Sequence, residues 1–495
     1  MGFVRRLESE IVKRYREYIC IILLSLFCGF FVPLRAEAVP ETIPSILRPS
    51  LERLQKSAPR MGIQILAVPS GQILYEYRSQ EPFIPASLVK IFTSYSALKQ
   101  LGPEHHFSTA LWALEKPQGN LIAGDIWIKS EGDPFFLVEK ARMLAHQLKD
   151  LGVQRILGGV YVDNSYFEPQ TDRICLDGNC RDSYNPVISP TSMDFNTITF
   201  RLRPASKLGS PVQVEWFPSG DYVLITNHAI TIGKNLETDL KIQSLGVTPD
   251  GRERYRTSGR LPIRSTSGLE YRVNAEDPEA FVARSFRAIL QQNGIATPGT
   301  TVRGGVAPAG AVMLASYESP PLADLIYGLN RYSNNFMAEM LLRSLGAVVM
   351  GPPGTAAKGI SVIGKTLQEI GASEQEVCLS SGSGLSRQCK ATPRAFCRVL
   401  LKAYEDPSAG PPFFSSLAVN GQDGTLKNRL LRANSTIRGK TGTLNDVVAF
   451  AGYVTDPKGR LFAVTVLLNE VPNLWEAREA LDAFLECLAK ADKLL

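Results

Sequence analysis

The sequence predicts an α/β (α+β) fold in which both ends of the chain build a five-stranded antiparallel sheet flanked by helices, with a long insertion between them. Three observations predict it. Apolar strand-length runs occur near both termini, each beside a stretch of helical period; neither end alone holds enough elements for a closed core; and the middle of the chain is a separate, strand-rich region. The length of 495 residues, 44% of them apolar and 21% charged, fits a multi-domain globular protein and excludes a disordered, collagenous or coiled-coil chain.

Residues 43–57 are helical by period, Gly62 to Val68 and Ile73 to Tyr77 read as strands joined by the turn Pro69-Ser70-Gly71-Gln72, and Leu88 to Leu98 is a helix. Residues 113–197 alternate short strands with one helix near Lys140 to Leu151, and residues 198–276 are strand-rich with many Gly, Pro and Arg. At the far end Thr436 to Thr443, Val447 to Thr455 and Leu461 to Asn469 are strands, separated by the turns Asn445-Asp446 and Asp456-Pro457-Lys458-Gly459, and Leu474 to Leu495 is an amphipathic helix.

The first 38 residues concern address rather than fold. Arg5, Arg6, Lys13, Arg14 and Arg16 form a basic start, Ile19 to Val32 is apolar, and Ala36-Glu37-Ala38 has the small-x-small pattern of a cleavage site, so the chain is expected to be exported to the periplasm or cell-wall space. The alternative is an uncleaved anchor, although the run is shorter than the ~20 apolar residues a span needs; either way the segment leaves room for peripheral membrane contact. Cleavage leaves six cysteines where disulfides can persist. Cys175 and Cys180 bracket a polar loop and can pair; among Cys378, Cys389 and Cys397 either two pair or all are buried free thiols.

The net charge is +6 with no dense Lys/Arg run, which argues against nucleic acid as a partner. The 4 histidines are read as surface or core residues, so no metal site and no cofactor is expected, and Ser-His-Asp chemistry is disfavoured. Chemistry enters instead at Ser87-Leu88-Val89-Lys90. At a helix start, a lysine three residues after a serine lies over the same face and can act as its base if the ammonium is disfavoured by desolvation or a second cation. Alone this is a weak motif, with an ordinary exposed helix start as its rival. On the strand Arg438 to Thr443, Lys440 supplies fixed charge, Thr441 and Thr443 supply hydroxyls, and Gly442 leaves room for an extended substrate ending in a carboxylate. The bland reading there is a solvated strand with Asp446 or a Glu neighbour pairing the lysine. Ser333-Asn334-Asn335 precedes a helical stretch, Phe336 to Leu345, and by itself reads as a helix cap.

Together and in this order the three elements resemble the signature of penicillin-recognising serine enzymes. The 246 positions between Ser87 and Ser333 make the chain similar to the low-molecular-mass class C penicillin-binding proteins, the D-alanyl-D-alanine carboxypeptidase/endopeptidase family. Gly132-Asp133-Pro134, Gly158 to Phe167, Tyr184 to Asn196, Gly382 to Arg387 and Gly421 to Leu426 add to the resemblance, which spans residues 40–495. It implies a penicillin-binding/β-lactamase-like domain (39–112 with 311–495) carrying two smaller inserted domains, one of 113–197 with 277–310 and one of 198–276. It further implies Ser87 as acyl-accepting nucleophile, Lys90 as its base, Ser333 as proton relay, Asn335 as orienter of substrate amide and Lys90, and Lys440 as holder of the proton balance and the carboxylate. The oxyanion would rest on the Ser87 and Thr443 amides. The implied partners are peptidoglycan stem peptides, with β-lactam antibiotics as inhibitors. A β-lactamase-like hydrolase and a catalytically slow cell-wall binding or sensing protein are the competing readings. Ser381, which stands where the family usually has Asp, puts local support of the site in question.

Overall fold

The computed structural model describes residues 45–169, 174–178 and 180–491. The export segment inferred at 1–38 lies outside the described residues, and among the described residues no helix is long and apolar enough to cross a membrane.

The two ends of the chain form one sheet. Its strands are β1 (Arg60–Val68), β2 (Ile73–Tyr77), β3 (Ala418–Val419), β4 (Ile437–Leu444), β5 (Val447–Thr455) and β6 (Leu461–Asn469), in the spatial order β2-β1-β6-β5-β4-β3, and every neighbour is antiparallel. The sheet therefore has six strands rather than five. The extra strand, β3, pairs only with Arg438 and Gly439 and is too short to show alternation in sequence. β1, β5 and β6 are buried along almost their whole length because helices cover both faces, which is why they read as unbroken apolar runs.

On one face α1 (Arg48–Ser57) packs beside the C-terminal helix Leu474–Leu488, and on the other the helix Pro393–Glu405 lies over β1 and β6. α1 begins later than the expected residue 43, with proline in its first turn. The C-terminal helix starts where Asn473 accepts the amides of Trp475 and Glu476, and it ends at Leu488, short of Leu495. α2 (Val89–Leu101) is buried at every position from Val89 to Leu98. It runs through the core between α3 (Leu322–Tyr332), α4 (Asn335–Met350) and the helix Pro393–Glu405, so it shows little amphipathic contrast.

Two apolar cores are distinct: one draws on residues 66–107 and 322–467, the other on residues 111–315. In the second, a five-stranded sheet has the order Val302–Gly304, Val160–Asp163, Ile126–Ser130, Ser108–Ala113, Val312–Glu318. The helices Val138–Asp150 and Pro278–Gln292, two three-stranded sheets within 197–274 and two short two-stranded ones also belong to that region. We propose that the two cores mark the catalytic domain and its insertions, the chain crossing between them near residues 107 and 319. A fragment of residues 39–200 is then expected to show no cooperative thermal transition, because β1 lacks β6 and Ser108–Ala113 lacks Val312–Glu318. Sharp unfolding of that fragment would overturn the division.

Candidate active site

Ser87 lies in a 3-10 turn, Ala86–Leu88, that feeds α2, so the nucleophile candidate precedes the α-helix rather than sitting inside it. Ala86 adopts a left-handed φ of 50°, a conformation that costs a non-glycine residue roughly 1–2 kcal/mol and needs its surroundings to hold it. Two glycines let other segments close on this turn. A Cβ on Gly384, itself at φ +82°, would overlap the Ala86 carbonyl, and one on Gly442 would stand 2.9 Å from the Pro85 oxygen and 3.2 Å from the Ala86 Cβ. The bare backbone of Gly442 thus makes room first for the serine turn, not for substrate as the sequence suggested. Gly442→Ala is expected to displace the turn, slowing penicillin acylation about tenfold or more and costing ~1–3 kcal/mol of stability. Acylation kinetics with a thermal melt check this; an unchanged rate would show that the turn accommodates the methyl.

Lys90, three residues after Ser87, is fully buried. Its Nζ lies 2.9 Å from Ser87 Oγ, 2.7 Å from Asn335 Oδ1 and 2.7 Å from the Ser383 carbonyl. Burial, and after it the Lys440 charge, hold the amine well below the usual lysine range, while Glu339 pulls it upward. Of the two effects the sequence allowed, desolvation is therefore the larger and like-charge repulsion the second.

Ser333-Asn334-Asn335 is both a cap and part of the cluster. Ser333 closes α3 in a left-handed conformation, φ 56°. Asn334 caps α4 by accepting the Met337 amide, which leaves the side chains on either side of it for the site. Ser333 Oγ accepts from Lys440 Nζ at 2.8 Å, and Asn335 bonds Lys90. The other end of the Asn335 amide donates to the Tyr184 carbonyl at 2.9 Å, which fixes its orientation. That carbonyl belongs to a loop in which the Cys175–Cys180 disulfide forms and Asn185 bonds both backbone polar groups of Leu176. Cys378, Cys389 and Cys397 are free thiols, so the pairing alternative for them is not realised, and Cys378 is exposed rather than buried.

Lys440 is fully buried on β4, and burial pushes its pKa down to about 7. Asp446 does not pair it: that carboxylate bonds Arg387 at 2.8 Å. The Thr441 hydroxyl lies 2.9 Å from that of Thr425, and Thr443 is exposed. Because the pairing of β3 with β4 stops at Gly439, the outer edge of β4 from Lys440 onward faces no strand among the described residues.

Sequence reasoning missed two contributors. One is the Ser383 carbonyl, a backbone atom with no sequence signature. The other is Glu339, 1% exposed, whose Oε1 accepts the Ser383 amide at 2.9 Å and its hydroxyl at 2.7 Å. Its place one turn after Asn335 was the available signal. Ser381, in question from the sequence, accepts the Gly384 amide at 3.1 Å and so keeps a support for that loop. Among the described residues no His, Cys, Asp or Glu cluster could hold a metal ion.

The sequence pattern of the D-Ala-D-Ala carboxypeptidase 3 (S13) family matches residues 47–488. A D-alanyl-D-alanine carboxypeptidase of Actinomadura sp. is 29% identical over 419 residues, covering 81% of this chain and 76% of that protein. The D-alanyl-D-alanine carboxypeptidase DacB of Haemophilus influenzae is 24% identical over 443 residues, covering 87% and 90%. The crystal structure of penicillin binding protein 4 from Haemophilus influenzae aligns at a TM-score of 0.75 and 22% identity over 90% of this chain and 99% of that one, so the fold is shared.

Proposed function

The chain belongs to the D-Ala-D-Ala carboxypeptidase 3 (S13) family and is a serine-type, penicillin-sensitive D-Ala-D-Ala carboxypeptidase, and from that premise we propose that its acyl-enzyme forms on Ser87. The observation that carries this reading is the coordination of Lys90. Two of its three partners, Asn335 Oδ1 and the Ser383 carbonyl, can only accept. A neutral amine donates its two N–H groups to them and turns its lone pair to the Ser87 hydroxyl, the arrangement a general base needs.

Substrate binds as an extended strand along the open edge of β4, its carboxylate near Lys440, Thr441 and Thr443, and its penultimate carbonyl over Ser87. Ser87 Oγ bonds to that carbon while its proton passes to Lys90, and the oxyanion is held by the Ser87 and Thr443 amides. The proton then moves by way of Ser333 to the departing amine, the C–N bond breaks and D-alanine leaves. An arriving carboxylate favours the protonated form of Lys440, which Ser333 contacts. Water attacks the acyl ester to close the cycle. A cross-linked stem offers the same carbonyl with a larger leaving group, so endopeptidase action belongs to the same site.

Export to the periplasm or cell-wall space is supported by the basic start and apolar run of the N-terminal segment and by the Cys175–Cys180 disulfide, a bond that persists in oxidising compartments. Residues 39–495, purified, are expected to release D-alanine from a pentapeptide stem in the presence of EDTA and to stop after preincubation with penicillin. Dependence on zinc, or release of L-alanine or glycan fragments, would overturn the mechanism. Penicillin labelling without turnover of either stems or cross-bridges would favour a sensing role.

A further inference from the structure

We propose that Glu339 is a positioning residue that sets the proton affinity of Lys90 through Ser383. Glu339 projects from α4 one turn beyond Asn335, and its carboxylate is almost completely buried. Such a charge needs partners. Oε1 takes both the amide and the hydroxyl of Ser383, and Oε2 lies 3.2 Å from Arg343 Nη1. The carbonyl of the same Ser383 receives Lys90 Nζ at 2.7 Å. One residue therefore joins the carboxylate to the base. The neighbouring loop is tied to α2 as well, since Thr93 donates to the Gly382 carbonyl at 2.7 Å, so Ser383 cannot drift from Lys90 without breaking a second buried bond.

The charged groups that bear on Lys90 are few. From β4 comes Lys440, which disfavours the ammonium, and from α4 comes Glu339, which favours it. Arg343 is turned to Glu339, and Arg387 is engaged with Asp446. Burial and Lys440 alone would make Lys90 easy to deprotonate but poor at keeping the proton it takes from Ser87 during the attack. Glu339 offsets that, leaving a base that both accepts and briefly holds the proton.

This inference rests on Lys90 being the base of Ser87, and the two are separable: persistent acylation in Lys90→Met defeats that reading, whatever Glu339 does. The test is the pH profile of acylation by a fluorescent penicillin, measured with thermal melts for Glu339→Gln, Glu339→Asp and Arg343→Met. Glutamine keeps an acceptor for Ser383 but removes the charge, so the acidic limb is expected to move to lower pH by roughly 0.5–1 unit. Glu339→Asp keeps the charge and is expected to leave the limb near its wild-type position, even if the rate falls. Arg343→Met frees the carboxylate from its cation and is expected to move the limb to higher pH. If Glu339→Gln fails to fold, the arginine variant decides. A uniform loss of rate with an unmoved limb in Glu339→Gln, or in Arg343→Met when that variant decides, overturns the proposal and leaves Glu339 a packing residue.

Discussion

Ser87→Ala is expected to abolish covalent labelling by penicillin and to lower D-alanine release by at least ~10³-fold, the scale seen when the attacking oxygen of an acyl-transfer enzyme is removed. The fold should survive. Among the described residues the Ser87 side chain makes one hydrogen bond, to Lys90, while the turn around it is set by Ala86, Gly384 and Gly442 rather than by the hydroxyl. The protein should therefore melt cooperatively within a few degrees of wild type, its loss near the ~1 kcal/mol typical of one hydrogen bond. Ser333 and Ser383 provide internal controls. Both are serines close to a lysine, yet Ser333 Oγ faces Lys440 and the Ser383 hydroxyl is committed to Glu339. An adduct mapped by peptide analysis to either of them would sink the assignment.

The two buried lysines should part company when each is changed to methionine. Lys90→Met removes the proposed proton acceptor and is expected to slow acylation by ~10²–10⁴-fold on every substrate. Lys440→Met also slows it, but is expected in addition to erase the preference for a free C-terminal carboxylate over an amide. Equal losses on acid and amide substrates would show that Lys440 does not read the carboxylate. Stability provides a second readout. With its pKa pushed down to about 7 from an unfolded value near 10.5, Lys440 is protonated in both states below pH 7. Between about pH 7 and 10.5 only the unfolded chain holds the proton, so the destabilisation from burying this group fades as pH rises through that window. Lys440→Met should consequently melt higher than wild type at neutral pH, by an amount on the order of a few kcal/mol that shrinks towards pH 10. An advantage that grows with pH would contradict the buried-cation account.

How far the molecule was legible from its residues depended on whether a feature lives in a local pattern. β5 and β6 match their predicted limits because continuous apolar runs are bounded by unmistakable turns at Asn445-Asp446 and Asp456 to Gly459. β3 went unseen because two residues carry no period. The cluster of Ser87, Lys90, Ser333, Asn335 and Lys440 was readable as three short motifs, each ambiguous and constraining only as an ordered set. What it lacked was anything contributed by backbone or by a residue whose type suggests the opposite environment. Glu339 on a helix reads as solvated, and only the fold shows it enclosed; Gly442 reads as a gap for substrate, and only the fold shows the serine turn filling it.

The sheet joins residues that are far apart along the chain: Arg60 stands opposite Asn469, and the Ile84 amide, just before the serine turn, bonds the Asn469 side chain across 385 residues. Synthesis delivers the first strand long before its neighbour exists. Contacts of that separation bring a large loop-closure entropy and slow the folding of any domain built on them. The core of residues 111–315 is continuous in the chain, and its own distant pairing, Ser108–Ala113 with Val312–Glu318, closes before the final strands of the large sheet are made. The order of assembly is thus the reverse of chemical importance: the insertions can condense early, and the catalytic centre comes into being last, when the final strands meet a hairpin made at the very beginning. Until then Lys90 stays solvated and protonated, so the base proposed for Ser87 does not exist before the last strands are in place.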